Sequence, residues 1–183
     1  MWASGAAYQP FIGRWSGLVA REFLGWLAVP PGRRWLDVGC GTGVLSRSIL
    51  DVTRPAEVLG VDSSAEYLAY ARQQTTDARV RYVVGDARAL PGNAGPFDAV
   101  VAGLVLNFVP EPGRALAEMQ RVARAGATLA AYVWDYAEGM QMLCAFWDAA
   151  VSLDPKARDL HEGRRFPLCQ PGALVEAFQR AGL

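Results

Sequence analysis

The stretch Leu36-Asp37-Val38-Gly39-Cys40-Gly41-Thr42-Gly43 constrains this chain most. It reads as a short buried strand, then a turn with glycine at alternate positions, then a helix opening near Val44. Glycine accepts positive φ and puts no side chain in the way. A flat or charged ligand group can therefore lie against the turn's amides and the helix N-terminus. Asp37, placed before the first glycine, suits a ligand that carries an ammonium rather than only a pyrophosphate. The spacing departs from the dinucleotide fingerprint G-x-G-x-x-G, because Gly43 follows Gly41 too closely.

The segments that follow repeat a strand-then-acid pattern. Residues 57–62 read as a second strand ending in Asp62. This acid lies about 20 residues beyond the turn, where a Rossmann-like sheet places its ribose-binding carboxylate. A carboxylate can accept both vicinal ribose hydroxyls. Ser63-Ser64-Ala65-Glu66 has the form of a capping box, with Ser63 as N-cap and Glu66 at N3. A third strand, Val80 to Val84, runs into Gly85-Asp86-Ala87. A fourth, Phe97 to Ala102, leads into Gly103-Leu104-Val105-Leu106-Asn107-Phe108. The spacing then predicts a helix over 112–125, with Leu116, Met119 and Ala123 on one face and Gly126 as its stop. The fifth strand is expected over Thr128 to Trp134.

The pattern D-x-G-x-G-x-G resembles motif I of the class I methyltransferases that use S-adenosylmethionine. Arg121 to Gly126 resembles the R-V-L-R-P-G-G element of that family, without its proline and second glycine. The resemblance runs in order from about Trp15 to Trp134. It implies a doubly wound α/β sheet of mainly parallel strands with helices on both faces. It also implies S-adenosylmethionine as cofactor, S-adenosylhomocysteine as product, and no metal. Asp37, Gly39, Cys40, Gly41, Gly43, Asp62 and Ser63 would hold the cofactor. Asp86 and Ala87 would read the adenine edge, and Gly103 and Leu104 would line the methionine end. In relatives the segment before the first helix folds over the cofactor, which implies that Tyr8 or Arg14 reaches the methionine carboxylate. Asn107, Trp134 and Asp135 are expected in the acceptor pocket, and Asp135 and His161 are candidate proton acceptors. The implied reaction is in-line methyl transfer to a small molecule. An NAD-type oxidoreductase and a non-catalytic cofactor-binding module are the rival readings.

The 183 residues suit one domain. It divides into an N-terminal lid and helix (1–30), a cofactor-binding core (34–134), an aromatic-rich insert (135–170) and a last helix (171–183). The first helix is expected to carry Trp15, Leu18, Val19, Phe23, Trp26 and Leu27 on an apolar face covering the sheet. A hydrophobic share of 52% supports a core, and a net charge of +0 with no basic tract argues against nucleic acid. No apolar run is long enough to cross a bilayer, and the first residues lack a signal-peptide pattern. Cys40, Cys144 and Cys169 form no C-x-x-C, so a reducing cytoplasm is expected. The resemblance also implies two further strands that this sequence does not supply. The fifth strand is then expected to be an edge, covered by a second copy, another partner or residues beyond Asp135.

Overall fold

The computed structural model describes residues 14–92 and 95–183. Tyr8 and the Arg14 side chain fall outside what is described. Strands β1 (Arg34–Val38), β2 (Glu57–Asp62), β3 (Val80–Val84), β4 (Phe97–Gly103) and β5 (Ala123–Tyr132) form one sheet. Its order is β3-β2-β1-β4-β5, and every pairing is parallel. Parallel strands need crossovers, and these are α2 (Val44–Thr53), α3 (Ala65–Gln74) and α4 (Pro112–Val122). Helix α1 (Arg14–Leu27) precedes β1. Helices α5 (Gln141–Leu153), α6 (Glu162–Arg165) and α7 (Pro171–Arg180) follow β5. This is the doubly wound architecture that the sequence implies.

Alternation along the strands sorts side chains to two faces. Leu36, Val38, Leu59, Val61, Val100 and Ala102 point to the side covered by α4, with Leu174 and Phe178 of α7 packed against that core. Trp35, Val58, Ala99, Val101 and Ala130 point to the side covered by α1 and α2. Strands covered on both faces read as near-continuous apolar runs, which is why β1, β2 and β4 were so legible. The chain reverses its direction of winding between β1 and β4. That switch point opens a crevice at the C-terminal ends of those two strands.

Four local expectations need correction. The N-cap of α3 is Ser64, whose Oγ accepts from the Tyr67 amide at 3.2 Å. Ser63 is an exposed bend residue one place earlier. Helix α4 ends at Val122, and β5 begins at Ala123 rather than Thr128. The cause is Asp98. Its carboxylate takes Arg124 at 2.7 Å, Arg33 at 3.7 Å and the Arg34 amide at 2.7 Å. This draws the residues after α4 into the sheet edge. A register shift follows, with Phe97 opposite Ala123 but Ala99 opposite Thr128.

Helix α1 does cover the sheet, through Phe23 and Leu27 as expected and through Ala20 and Leu24 besides. Trp15, Leu18 and Trp26 lie on its exposed side. In α5 no residue is buried. Among the described residues, no helix is long and apolar enough to cross a membrane.

Candidate functional site

The glycine turn sits at the switch point. Gly39, Gly41 and Gly43 all take positive φ, at 69°, 51° and 78°. The three are required for different reasons. A Cβ on Gly39 would come within 2.3 Å of the Val105 side chain, which belongs to the loop after β4. A Cβ on Gly43 would lie 2.6 Å from the Tyr82 hydroxyl. A Cβ on Gly41 would meet nothing within 4 Å. Gly39 and Gly43 thus close the turn against β4 and β3. Gly41 faces open space where a ligand can approach the backbone.

The turn's amides are not the open cradle that the sequence suggested. The Gly39 and Cys40 amides both donate to Val61 O, at 2.7 and 3.0 Å, and Gly43 N donates to Cys40 O at 2.8 Å. Gly41 N donates to Asp62 Oδ2 at 2.8 Å. The other Asp62 oxygen accepts from Ser64 N at 2.8 Å. Asp62 therefore clamps the turn to the end of β2. Each of its oxygens keeps acceptor capacity for a ligand hydroxyl, since a carboxylate offers about four lone-pair sites.

Asp37 lies below the turn rather than in the crevice. It is 1% exposed, and Ser46 Oγ donates to its Oδ2 at 2.6 Å. Its Oδ1 is buried with no hydrogen-bond partner, and so is the Tyr82 hydroxyl. Burial pushes the Asp37 carboxyl up to about 7. Ser46 opposes the rise, and the Asp62 charge adds to it. A buried carboxylate oxygen without a partner, next to a second carboxylate, makes the charged form costly there. Cys40 is buried packing; desolvation, with Asp37 and Asp62 adding to it, raises its thiol well above the ordinary value. An inert thiol is the expected result.

Asp86 follows β3 as expected, but Arg88 holds it in a fork, at 2.7 Å to Oδ2 and 3.1 Å to Oδ1. Those hydrogen bonds hold its carboxyl down at about 2. Ala87 is half-buried against the core. Gly103 ends β4, and a Cβ there would meet the Tyr132 hydroxyl at 2.7 Å. Leu104 takes a φ of 58° and donates its amide to Tyr132 O at 2.8 Å. A non-glycine residue in this region is uncommon and marks a constrained bend. The bend directs the short 3-10 turn Leu106–Phe108 over the switch point. Leu106 is buried core, while Asn107 is half-buried.

The two candidate proton acceptors both serve turns. Asp135 Oδ1 accepts from the Ala137 and Glu138 amides, each at 3.0 Å. His161 Nδ1 accepts from Gly163 N at 2.9 Å, and its ring stacks on Trp147 at 5.8 Å. Trp134 is half-buried beyond the end of β5. Sequence reasoning missed Ser46, Tyr82, Val105 and Arg88. Ser46, nine residues beyond Asp37, faces back onto it from α2, but a lone serine on a helix carries no signal of this. Of two surface hollows, one is lined by Arg72, Thr75 and Val80 to Val83 and the other by Pro112, Gly113, Pro167, Leu168 and residues of α7; no residue of the glycine turn lines either.

Fold and turn together define a Rossmann-like nucleotide-binding domain with an acid-led glycine motif. The profile of a methyltransferase-domain family matches residues 36–131. A demethylmenaquinone methyltransferase of Roseiflexus is 32% identical over 85% of this chain and 70% of its own length. A 2-phytyl-1,4-naphthoquinone methyltransferase of Synechocystis is 32% identical over 80% of this chain and 64% of its own. A demethylmenaquinone methyltransferase of Renibacterium salmoninarum is 37% identical over 63% of this chain, which spans only 46% of that protein. Among solved structures, a complex of the Haloferax volcanii Trm112 methyltransferase activator with a candidate methyltransferase superposes with a TM-score of 0.74. It covers 100% of this chain and 74% of that one at 24% identity, a likeness of fold. The chain belongs to the class I S-adenosylmethionine-dependent methyltransferase family.

Proposed function

We propose that this protein transfers a methyl group from S-adenosylmethionine to a small planar acceptor of the quinol type. The observation that carries the reading is Asp62. It is the acid that ends β2, tied to the Gly41 amide at the switch point, beneath open space. Asp62 would accept the ribose hydroxyls, and the surface above Gly41 would take the nucleoside. Asp37, Gly39, Cys40, Gly43 and Ser63 shape or support the turn. Asp86 and Ala87, with the Arg88 fork on Asp86, would border the adenine. Gly103 and Leu104 would border the methionine end, with Asn107, Trp134 and Asp135 around the acceptor.

When bound, with Asp62 on its ribose, the cofactor would supply an activated methyl to the nucleophilic atom of an acceptor that has already given up its proton. The quinone acceptors named for the relatives fit this chemistry in their reduced, dihydroxy state, because a quinone is an electrophile. The chain's contribution is alignment and exclusion of water, which in favourable cases supplies roughly 7–11 kcal/mol. Asp135 and His161 are engaged in turns, so the reading assigns no dedicated base and relies on an acceptor that ionises readily.

Thermal unfolding with S-adenosylhomocysteine against NAD tests the cofactor. The first should raise Tm by mass action and the second should not. Equal shifts from both, or none from either, would refute the assignment. Formation of S-adenosylhomocysteine from a reduced 1,4-naphthoquinol tests the acceptor, and no product despite tight cofactor binding would favour a non-catalytic module.

A further inference from the structure

Tyr132 closes β5 and lies opposite Gly103, the last residue of β4. The alternation that sends Ala99, Val101 and Ala130 to the α1 and α2 side of the sheet carries Tyr132 there too. Its ring is partly buried against that core, 4.7 Å from the ring of Phe23 on α1 at a tilt of 52°. Its backbone holds the bend after β4, because Tyr132 O accepts from the Leu104 amide at 2.8 Å.

The ring reaches across the end of β4. A Cβ on Gly103 would stand 2.7 Å from the Tyr132 hydroxyl and 3.0 Å from Leu45, in the first turn of α2. The missing side chain at Gly103 is what lets the hydroxyl occupy this corner. Helix α1 closes the corner from another side, where a Cβ on Gly17 would lie 3.9 Å from Val44, the first residue of α2. Gly43 of the glycine turn is the N-cap of that same helix. Tyr132 thus brings its hydroxyl from the last strand of the sheet to where β4, α2 and the glycine turn converge. A phenylalanine would pack on Phe23 as well; the hydroxyl adds a hydrogen-bond donor.

We infer that the Tyr132 hydroxyl binds the amino-acid end of S-adenosylmethionine by donating to its carboxylate. The inference rests on the cofactor reading above and adds a residue to it. Gly103 and Leu104 border the methionine end in that reading, and Tyr132 meets both. A carboxylate there needs donors, and the nearby amides are already spent. Those of Gly39, Cys40, Gly41 and Gly43 donate within the protein, and that of Leu104 donates to Tyr132 itself. The donor must then come from a side chain, and a hydrogen bond to an ionised acceptor is the stronger kind.

Calorimetry with three ligands tests the contact without turnover. They are S-adenosylhomocysteine, its decarboxylated analogue S-adenosyl-3-thiopropylamine, which keeps the amine, and 5′-methylthioadenosine, which lacks the whole amino-acid end. Tyr132→Phe should weaken S-adenosylhomocysteine by about tenfold, as expected for one hydrogen bond to a charged group, and leave the other two as in the wild type. Unchanged binding of methylthioadenosine also reports that the variant is folded. An unchanged affinity for S-adenosylhomocysteine overturns the inference. So does an equal loss for all three ligands, which would make Tyr132 a packing residue. A loss shared by S-adenosylhomocysteine and the amine analogue alone overturns the carboxylate assignment and moves the contact to the ammonium. A wild type that binds none of the three overturns the cofactor reading and this contact with it.

Discussion

Two glycines two residues apart in one turn carry opposite expectations. Gly43→Ala places a methyl against the Tyr82 hydroxyl at φ 78°, so the fold should lose about 1–3 kcal/mol by urea denaturation. Gly41→Ala meets no protein atom, so beyond the strain of its φ the loss should appear as weaker S-adenosylhomocysteine binding by calorimetry. Asp62→Ala removes the clamp on Gly41 and the proposed ribose acceptor together, and should weaken binding by about 1–3 kcal/mol while the fold survives. Asp37 predicts a pH effect on the ligand-free protein. Its carboxyl titrates near 7 when folded, against 3.8 as the ordinary value, so the folded state holds the proton more tightly. Its contribution is full below about pH 4 and is lost as pH rises from there through 7, a total of a few kcal/mol. Asp37→Asn mimics the protonated form. It should gain stability over the wild type at pH 8 and show no such gain at pH 4, by denaturant titration at both values.

At the scale of elements, the cofactor half was legible because each strand there ends in chemistry. β1 runs into glycines, β2 into Asp62 and β3 into Asp86. What failed was set by distant partners. The start of β5 depends on Asp98 gathering Arg124, Arg33 and the Arg34 amide, across separations that no local pattern reports. The N-cap slipped from Ser63 to Ser64 because two adjacent serines fit one motif equally well, and Asp62 settles the choice by accepting from the Ser64 amide. Asp98→Ala should therefore cost about 1–3 kcal/mol, since it leaves the half-buried Arg34 strand amide without its acceptor and Arg124 without its partner. Hydrogen exchange should localise the loss to residues 123–128 and β4. Asp37 was placed correctly in sequence and wrongly in depth. The alternation that makes β1 recognisable also sends Asp37 to the face covered by α2, where Ser46 waits.

For the whole molecule, the sheet order puts the site where β1 and β4 diverge, and the sequence conveyed this through motif order alone. The aromatic-rich insert after β5 was legible as composition, but the contacts its rings make with one another and with Phe108 were not. Those rings lie far apart in sequence, and their proximity follows from how the chain after β5 folds back. The glycine turn has one more consequence. All of Gly39, Cys40, Gly41 and Gly43 find amide partners inside the protein. The turn is therefore rigid without its ligand, and the entropy of ordering it is spent in folding rather than at association. Amide exchange at these four positions should already be slow in the ligand-free protein, and cofactor binding should then be a fast docking onto a finished surface rather than the slow closing of a loop.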